Sequence, residues 1–435
     1  MINMKQSKIV FSSLLGLAGA ACLTSAAFAS GFGLREGSAD WLANAFSGET
    51  ANAYDAGTAA SNPAGMVRLN QDEIDGAISY IGPAATFTGS NSNPYGAGTI
   101  SGVTGGNAVA PAASGATFGV FKLTPNLWAG LSITAPYGER TSYPRNFVGR
   151  YQSLVSAITD INFGLSLAYK VNSHLSIGGG PNFDYFSARL TQALDVPTLS
   201  ALTGQDPISA LKGNDIGIGY NLGVLYQFDN ATRIGIDYRS RIQHNLTGNE
   251  TVAVPGSYPA PYPALLEANN GVAKTSITLP DSLSVGLYHQ LTPRWAVMAS
   301  VQWTDWSLFN TLNVTSANGT PLASIVEKWR NTWYAGAGAN YQATDKLLLQ
   351  SGIAYDQSPV DNANRTTRVP DADHYILSAG AKYQITRNVD MQLAYAHIFT
   401  PGGTINNSAG VTAGIISGSY SASDDSVTAG VAVKF

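Results

Sequence analysis

The feature that most constrains this chain is an alternation of apolar residues with small or polar ones at a period of two. Between Ile216 and Phe228, every second residue is Ile, Tyr, Leu, Val or Phe, and most of the residues between them are Gly, Asn or Gln. Successive side chains of a strand point to opposite faces, so the pattern predicts strands with one apolar face. Beyond residue 30 there is no apolar run of roughly 18 residues, the length a membrane-spanning helix needs.

The alternation predicts fourteen strands, joined by links that are alternately short and long. They are expected at 74–88, 115–123, 127–138, 155–170, 174–192, 213–228, 231–250, 274–291, 294–313, 327–343, 345–358, 371–385, 388–400 and 424–435. Short periplasmic turns and long extracellular loops are typical of outer-membrane barrels, in which closure pairs every backbone group inside the hydrocarbon. The sequence therefore predicts an all-β fold, a 14-stranded antiparallel transmembrane β-barrel in a bacterial outer membrane.

The first 29 residues have the three parts of a secretory signal peptide. Lys5 and Lys8 precede an uncharged stretch that closes with Ala27-Phe28-Ala29. An uncleaved membrane helix and a lipoprotein cysteine at Cys22 are the alternatives. Removal of 1–29 takes two of the 24 basic residues and the single cysteine, which leaves 22 bases, 28 acids and a charge of −6. We therefore expect no nucleic-acid partner, no disulfide framework and no thiolate metal site.

Residues 30–73 lack the alternation and are rich in Ala and Gly. Small residues let several backbone segments pack in a confined lumen, and a barrel of fourteen strands is wide enough to need a plug. We predict a hatch at 30–73 inside a barrel at 74–435. A loose periplasmic arm is the alternative.

Several motifs follow one another in an order that is itself informative. Asp55-Ala56-Gly57 is followed by Ser61-Asn62-Pro63-Ala64-Gly65-Met66, and later come Trp303-Thr304-Asp305-Trp306-Ser307, Val369-Pro370-Asp371 and Tyr395-Ala396-His397-Ile398-Phe399. In this order they resemble the FadL-type long-chain fatty acid transporters over essentially the whole mature chain. The resemblance implies passive uptake of hydrophobic molecules by a monomer without a cofactor, and a hatch motif made of Asp55, Asn62, Pro63 and Ala64.

Two predicted long loops carry apolar clusters, which on a surface usually mark a binding site. The residues are Leu194, Leu199, Leu202 and Leu211 in the link 193–212, and Tyr262, Leu265 and Leu266 in the segment 258–268. The alternative is a purely structural role, in which these loop segments form short helices that pack on each other over the barrel mouth. Both can hold, because in the resembled family such helices form the groove that first captures the substrate.

The resemblance also implies two further sites. Arg330 and Arg189 fall where basic residues of the family meet the substrate head group, although each could instead pair with a lumen acid for structure alone. In the third strand, Pro136 cannot donate to the ladder and Gly138 weakens it. We predict that Pro136, Tyr137 and Gly138 border a gap in the wall through which the substrate leaves sideways.

An enzyme is not expected, because the sequence has no G-x-S-x-G, H-E-x-x-H or P-loop motif. The most favoured function is uptake of long-chain fatty acids. A transporter of aromatic hydrocarbons, a general porin for polar solutes and an adhesin are the alternatives. Expected partners are long-chain fatty acids or other hydrophobic small molecules, outer-membrane lipid and lipopolysaccharide, and the barrel-assembly machinery, for which the terminal Phe435 resembles the insertion signal. No metal ion is expected.

Overall fold

The computed structural model describes residues 30–92, 98–408 and 414–435, which include one closed antiparallel sheet built from nineteen strand segments. The segments are β1 Glu73–Ser92, β2 Ala112–Thr124, β3 Leu127–Thr134, β4 Gly138–Ser142, β5 Val155–Lys170, β6 Leu175–Ala193, β7 Ile208–Gln227, β8 Thr232–Arg239, β9 Ile242–Ala253, β10 Gly271–Leu279, β11 Ser282–Gln290, β12 Trp295–Thr304, β13 Thr311–Ser316, β14 Pro321–Val326, β15 Thr332–Gln342, β16 Leu347–Asp356, β17 His374–Thr386, β18 Val389–Ser408 and β19 Ile415–Lys434.

Five barrel strands consist of two consecutive segments each, namely β3 with β4, β8 with β9, β10 with β11, β12 with β13, and β14 with β15. The nineteen segments therefore make fourteen barrel strands, and the predicted fold is confirmed. Two of the breaks coincide with Pro136 and Pro280, which have no backbone N–H to donate to a neighbouring strand.

The barrel closes between its first and last strands. β1 pairs with β19 along its whole length, with Glu73 opposite Lys434 and Ser92 opposite Ile415. On the outside, Ile216, Ile218 and Leu222 of β7 are exposed, as expected for side chains that face lipid. The alternation at the end of the chain is thereby explained, because the last strand is paired on both sides and turns Val427 and Val431 outward.

The strands extend further at the extracellular end than predicted, and three predicted links were wrong in length. β7 begins at Ile208, so the link 193–212 is shorter than expected. β13 and β14 form a hairpin within the predicted link 314–326. β18 and β19 occupy much of the predicted link 401–423. These extensions rise beyond the apolar belt, where both faces are polar or mixed, so they carry no apolar alternation.

The N-terminal segment packs against inner faces of the sheet. Its helices are α1 Ala39–Ala43, α2 Glu49–Asn52, α3 Thr58–Ser61 and a 3₁₀ helix, Pro63–Arg68; two more helices, α4 Pro197–Thr203 and α5 Tyr262–Leu266, lie in extracellular loops. Inward glycines let this segment approach the wall. A Cβ on Gly223 would lie 2.0 Å from Asn62 Oδ1, and one on Gly235 would lie 1.9 Å from the carbonyl oxygen of Thr50. A larger side chain at either position would push the segment from the wall.

An ion-pair cluster ties the hatch to the wall. Lys382 Nζ lies 2.8 Å from Asp40 Oδ2 and 3.7 Å from Asp55 Oδ2. Burial and the neighbouring Asp40 hold the pKa of Asp55 well above its usual range. Burial alone would raise the pKa of Asp40 as well, but the Lys382 ammonium holds it below its usual range. The pKa values of two acids that share one cation are therefore shifted in opposite directions in the docked hatch.

Within the described residues, no helix combines the length and apolar character that crossing a bilayer requires. The predicted signal peptide, residues 1–29, lies outside the described residues.

Candidate functional site

A largely apolar cavity lies in the extracellular half of the lumen. Its wall comes from strands β4 to β7, β9, β10, β13 and β14, and from the loop between β16 and β17. Apolar lining residues include Ile158, Phe186, Leu211, Leu246, Ile277 and Leu312. An apolar lining of this kind is typical of sites that bind small hydrophobic molecules.

The floor of this cavity is an aromatic cluster centred on Phe32, close to the start of the described chain. Its ring centroid lies 4.8 Å from that of Trp306, 5.3 Å from that of Trp329 and 5.6 Å from that of Phe309. The preceding residue is fixed as well, because the Gly31 N–H donates to Asp371 Oδ2 at 2.9 Å. Phe32 therefore closes the bottom of the apolar cavity.

Below Phe32 lies a second, more polar cavity. Its lining includes charged side chains from the hatch and the wall, namely Arg35, Glu49, Asp237 and Arg239. Arg35 is held by Asp356 at 3.1 Å and lies over the ring of Tyr334. Burial raises the pKa of Glu49. The two cavities thus differ in chemistry, and Phe32 separates them.

The wall beside the second cavity is interrupted in the third barrel strand. β3 ends at Thr134 and β4 begins at Gly138, and β2 pairs with β3 only along 117–124. The N-terminal arm takes part of the vacated pairing, because the Leu34 N–H donates to the Pro136 carbonyl and the Gly138 N–H donates to the Phe32 carbonyl, each at 2.8 Å. Ser114, Pro136 and Tyr137 line the second cavity. The third barrel strand is therefore interrupted around Pro136 and Tyr137, and the N-terminal arm is bonded to this break. Release of a substrate through a gap at Pro136, Tyr137 and Gly138 stays a prediction.

The predicted head-group arginines do not line the apolar cavity. Arg189 is exposed on β6, between Ala188 and Leu190, which do line it, because successive strand residues face opposite ways. Arg330 is about half exposed; its Nε donates to the Ser358 carbonyl at 3.2 Å. A head-group role for these two arginines stays a prediction.

Arg368 is a cation of the site that the sequence pattern did not indicate. It is buried, it lines the apolar cavity, and its guanidinium donates to Ser156 Oγ at 3.4 Å and to Gln192 Oε1 at 2.5 Å. It lies in the segment Asn364-Arg365-Thr366-Thr367-Arg368, directly before the Val369-Pro370-Asp371 motif. A pair of arginines next to a family motif was the signal that could have indicated it. Buried Glu139 and Glu327 also line the cavity.

The two apolar loop clusters lie close together and contain the short helices α4 and α5. Ser200 Oγ lies 3.1 Å from Tyr258 Oη, which joins the two loops. Leu199 is buried, whereas Leu202, Tyr262 and Leu265 remain exposed. Leu194 and Leu266 are partly buried. The assignment of Leu211 to a loop was wrong, because it lies on β7 and lines the apolar cavity.

The hatch motif has a structural role that its residues explain. Asn62 Oδ1 accepts from the Ala64 N–H at 3.1 Å, and Pro63 opens the 3₁₀ helix. Asn62 Nδ2 also donates to the Thr50 carbonyl at 2.8 Å and to the Val224 carbonyl on the wall at 3.1 Å. Asp55 is the acid that lies near Lys382. The motif thus shapes the hatch and fastens it to the sheet.

A family model described as "Outer membrane protein transport protein (OMPP1/FadL/TodX)" matches residues 20–435. The chain belongs to this family. It is 29% identical over 414 residues to a long-chain fatty acid transport protein of Salmonella typhi, a match that covers 91% of this chain and 93% of that protein. The expected resemblance and the outer-membrane location are thereby confirmed.

Two solved structures share the fold. A Pseudomonas aeruginosa FadL homologue superposes with a TM-score of 0.86 at 24% identity, over 93% of this chain and 100% of that one. The Ralstonia pickettii toluene transporter TbuX has a TM-score of 0.68 at 21% identity, over 92% of this chain and 99% of that one. Within the part of the chain that the structure describes, no group of three or more His, Cys, Asp or Glu side chains is arranged to hold a metal ion.

Proposed function

We propose that this protein takes up hydrophobic molecules across the outer membrane without an energy source, and that long-chain fatty acids are its main substrates. The observation that carries the proposal is the cavity with a largely apolar lining, closed below by Phe32. A water-filled porin would need a continuous polar path, whereas an aromatic floor excludes water and hydrated ions. Relatives named as long-chain fatty acid transport proteins support the same substrate class.

The path has three steps. Exposed Leu202, Tyr262 and Leu265 capture the hydrophobic chain at the surface, where their apolar area would otherwise stay in water. The substrate then enters the apolar cavity and rests on Phe32. When the N-terminal arm moves, Phe32 leaves the floor and uncovers the break at Pro136, through which the substrate passes sideways into the bilayer. The protein need only offer favourable contacts at each stage, because the substrate gradient supplies the direction.

Aromatic hydrocarbons are the second candidate substrates, since the cavity is lined mostly by apolar groups and a toluene transporter shares the fold. We further propose that the protein acts as a monomer without catalysis, contacts lipopolysaccharide at the outer leaflet, and is inserted by the barrel-assembly machinery through its C-terminal strand and Phe435.

The test is uptake of a labelled long-chain fatty acid and of labelled toluene by a Gram-negative host that lacks its own transporter and expresses this chain. We expect fatty-acid uptake that depends on the chain and saturates. An Arg330→Ala variant measured in parallel tests the head-group prediction, and uptake equal to that of the unchanged protein would remove that arginine from the path. Absence of uptake of both compounds, with assembly in the outer membrane verified, would overturn the proposed function.

A further inference from the structure

The apolar cavity contains a buried acid with no hydrogen-bond partner. Glu139 lies on β4, on the extracellular side of the break, beyond the apolar alternation of β3 that ends at Ile133. Its side chain is 1% exposed and lines the cavity. Within the described residues, neither of its carboxyl oxygens has a hydrogen-bond partner. The carboxyl group of Glu139 is therefore available to form a hydrogen bond with a ligand in the cavity.

The surroundings of Glu139 disfavour a negative charge there. The acids that act on it are Glu327 and Asp371, and the one cation that does so is Arg368. Lys212 and Lys274 also line the cavity, but both residues are exposed. Asp371 already accepts hydrogen bonds from Gly31 and Ser358 and lies 3.1 Å from His374. An ionised carboxylate without donors is strongly disfavoured when it is removed from water, so Glu139 keeps its proton.

Arg368 and Glu327 determine the net charge inside the apolar cavity. Burial lowers the pKa of Arg368 to about 10, which leaves the guanidinium charged at neutral pH. Burial raises the pKa of Glu327 to about 7, and this acid accepts a hydrogen bond from Trp329 Nε1 at 3.1 Å. When Glu327 is ionised it balances Arg368. The carboxylate of an incoming substrate then finds no net positive charge in the cavity. It therefore needs a neutral hydrogen-bond donor in addition to the guanidinium of Arg368.

We propose that Glu139, in its protonated form, donates a hydrogen bond to the carboxylate of the substrate beside Arg368, and that this donor selects acids over neutral molecules of the same length. The inference rests on the proposed function, because it names the head group that the apolar cavity accepts. The proton stays on Glu139, or is shared with the ligand, and no covalent bond changes. A protonated carboxyl and a guanidinium together satisfy the two oxygens of one ligand carboxylate.

The experiment measures binding of a long-chain fatty acid and of its methyl ester to the purified full-length protein. Four forms are compared: the unchanged protein, Glu139→Gln, Glu139→Leu and Asp424→Asn. The amide of Gln keeps a donor and does not titrate in this range, whereas Leu removes the donor. Asp424 is a buried lumen acid that does not line the cavity, so its variant is the matched control for loss of one buried carboxyl. Heat-modifiable mobility on gels verifies that each barrel has folded.

We expect Glu139→Leu to bind the acid about tenfold more weakly while its affinity for the ester is unchanged or higher, since a charge-assisted hydrogen bond is lost. Glu139→Gln should retain acid binding near neutral pH. As pH rises, the unchanged protein should lose affinity for the acid relative to Glu139→Gln, because the amide of Gln keeps its donor while Glu139 loses its proton.

Equal loss of acid and ester binding in Glu139→Leu, or an acid-to-ester preference unchanged in both Glu139 variants, would overturn the inference. The same holds if Asp424→Asn alters the preference as much as Glu139→Leu does. Failure of the unchanged protein to bind either compound would count against the proposed function itself, so the two failures are distinguishable. If Glu139→Leu does not fold, the pH-dependent ratio between the unchanged protein and Glu139→Gln decides alone.

Discussion

Two seams of the barrel differ in their backbone pairing, and the difference bears on the proposed sideways release of the substrate. The seam between β1 and β19 is paired from Glu73 to Ser92 without a break. The seam between β2 and the third barrel strand is paired only along 117–124 of β2, and beyond it the chain breaks at Pro136. Exposed backbone groups are costly in hydrocarbon, so an open seam needs a cover. The N-terminal arm supplies that cover through Leu34 and Phe32.

The hatch is held differently at the two seams. Near the closed seam it is fastened by buried charge, with Lys382 lying near Asp40 and Asp55. At the open seam it is fastened by two backbone hydrogen bonds and by the ring of Phe32. Opening neutral hydrogen bonds and ring contacts leaves no buried charge unpaired, whereas opening a buried ion pair does, so the ion pair is the more costly contact to open. Movement of the arm alone, with the rest of the hatch docked, is therefore the least costly opening.

The largest expected effect is that of Phe32→Ala, which removes the floor between the two cavities. We expect single-channel conductance to rise by on the order of tenfold, because an apolar constriction that excludes water is lost. Planar-bilayer recording measures it. Phe87→Ala is the control, since Phe87 is equally buried and packs on Phe147 and Tyr420 away from both cavities. An equal rise in the control would contradict the gating role of Phe32.

The sequence predicted the part of the fold that lies in hydrocarbon. The alternation around Ile216 and the short turns were sufficient there, because lipid imposes a two-sided pattern on every strand. Above the membrane the same strands carry no such pattern, so the extension of β7 to Ile208 and the lining role of Leu211 were missed. The strand break at Pro136 was predictable because proline has no backbone N–H to donate to the ladder.

The candidate site was less predictable than the wall. Arg368 and Glu139 line one cavity from distant parts of the chain, and neither stands in a sequence pattern of its own. Arg189 was predicted from the resemblance of the chain to the family. Its neighbours Ala188 and Leu190 line the cavity, and because successive strand residues face opposite ways, Arg189 faces away from it. A shift of one residue along a strand moves a side chain from the lumen side of the sheet to the outer side. In a polar strand extension, the sequence alone does not indicate which residues face the lumen.

A smaller effect is expected from Asp55→Asn, which tests the buried cluster of Lys382, Asp40 and Asp55 near the closed seam. Because burial and Asp40 raise the pKa of Asp55, its contribution to docking is fully present below its undocked pKa and is lost as pH rises through the raised value. Asp40 has a lowered pKa and contributes with the opposite sign, so its share is lost as pH falls through that lowered value.

Hydrogen exchange of backbone amides 51–60 measures this effect. In the unchanged protein, protection should decrease toward high pH, and Asp55→Asn should remove much of that decrease, by about tenfold in exchange rate at most. Asp345→Asn, a substitution in an exposed turn, is the control. If the pH profile of protection is identical in the Asp55 variant and the unchanged protein, the titration of Asp55 is not coupled to docking of the hatch.

The smallest effect is expected at the capture loops, which lie far from both seams. Leu202→Ser combined with Leu265→Ser should raise the half-saturating concentration of fatty-acid uptake roughly fivefold and leave the maximal rate unchanged, since only partial burial of two side chains is lost. Leu123→Ser with Leu291→Ser is the matched pair, because these leucines are also exposed but lie at the periplasmic turns. A lower maximal rate in the loop variant would instead assign the loops to the release step.

The central claim, that the substrate leaves through the open seam, is tested most directly by a reversible crosslink. The register that pairs Thr117 with Ile133 would place Ala116 opposite Thr134, and Ser79 faces Thr428 in the closed seam. With Cys22 as the only native cysteine, the pairs Ala116→Cys with Thr134→Cys and Ser79→Cys with Thr428→Cys can be compared directly. We predict that oxidation stops fatty-acid uptake only in the first pair and that a reductant restores it. Unchanged uptake with the Ala116–Thr134 crosslink verified would contradict lateral release.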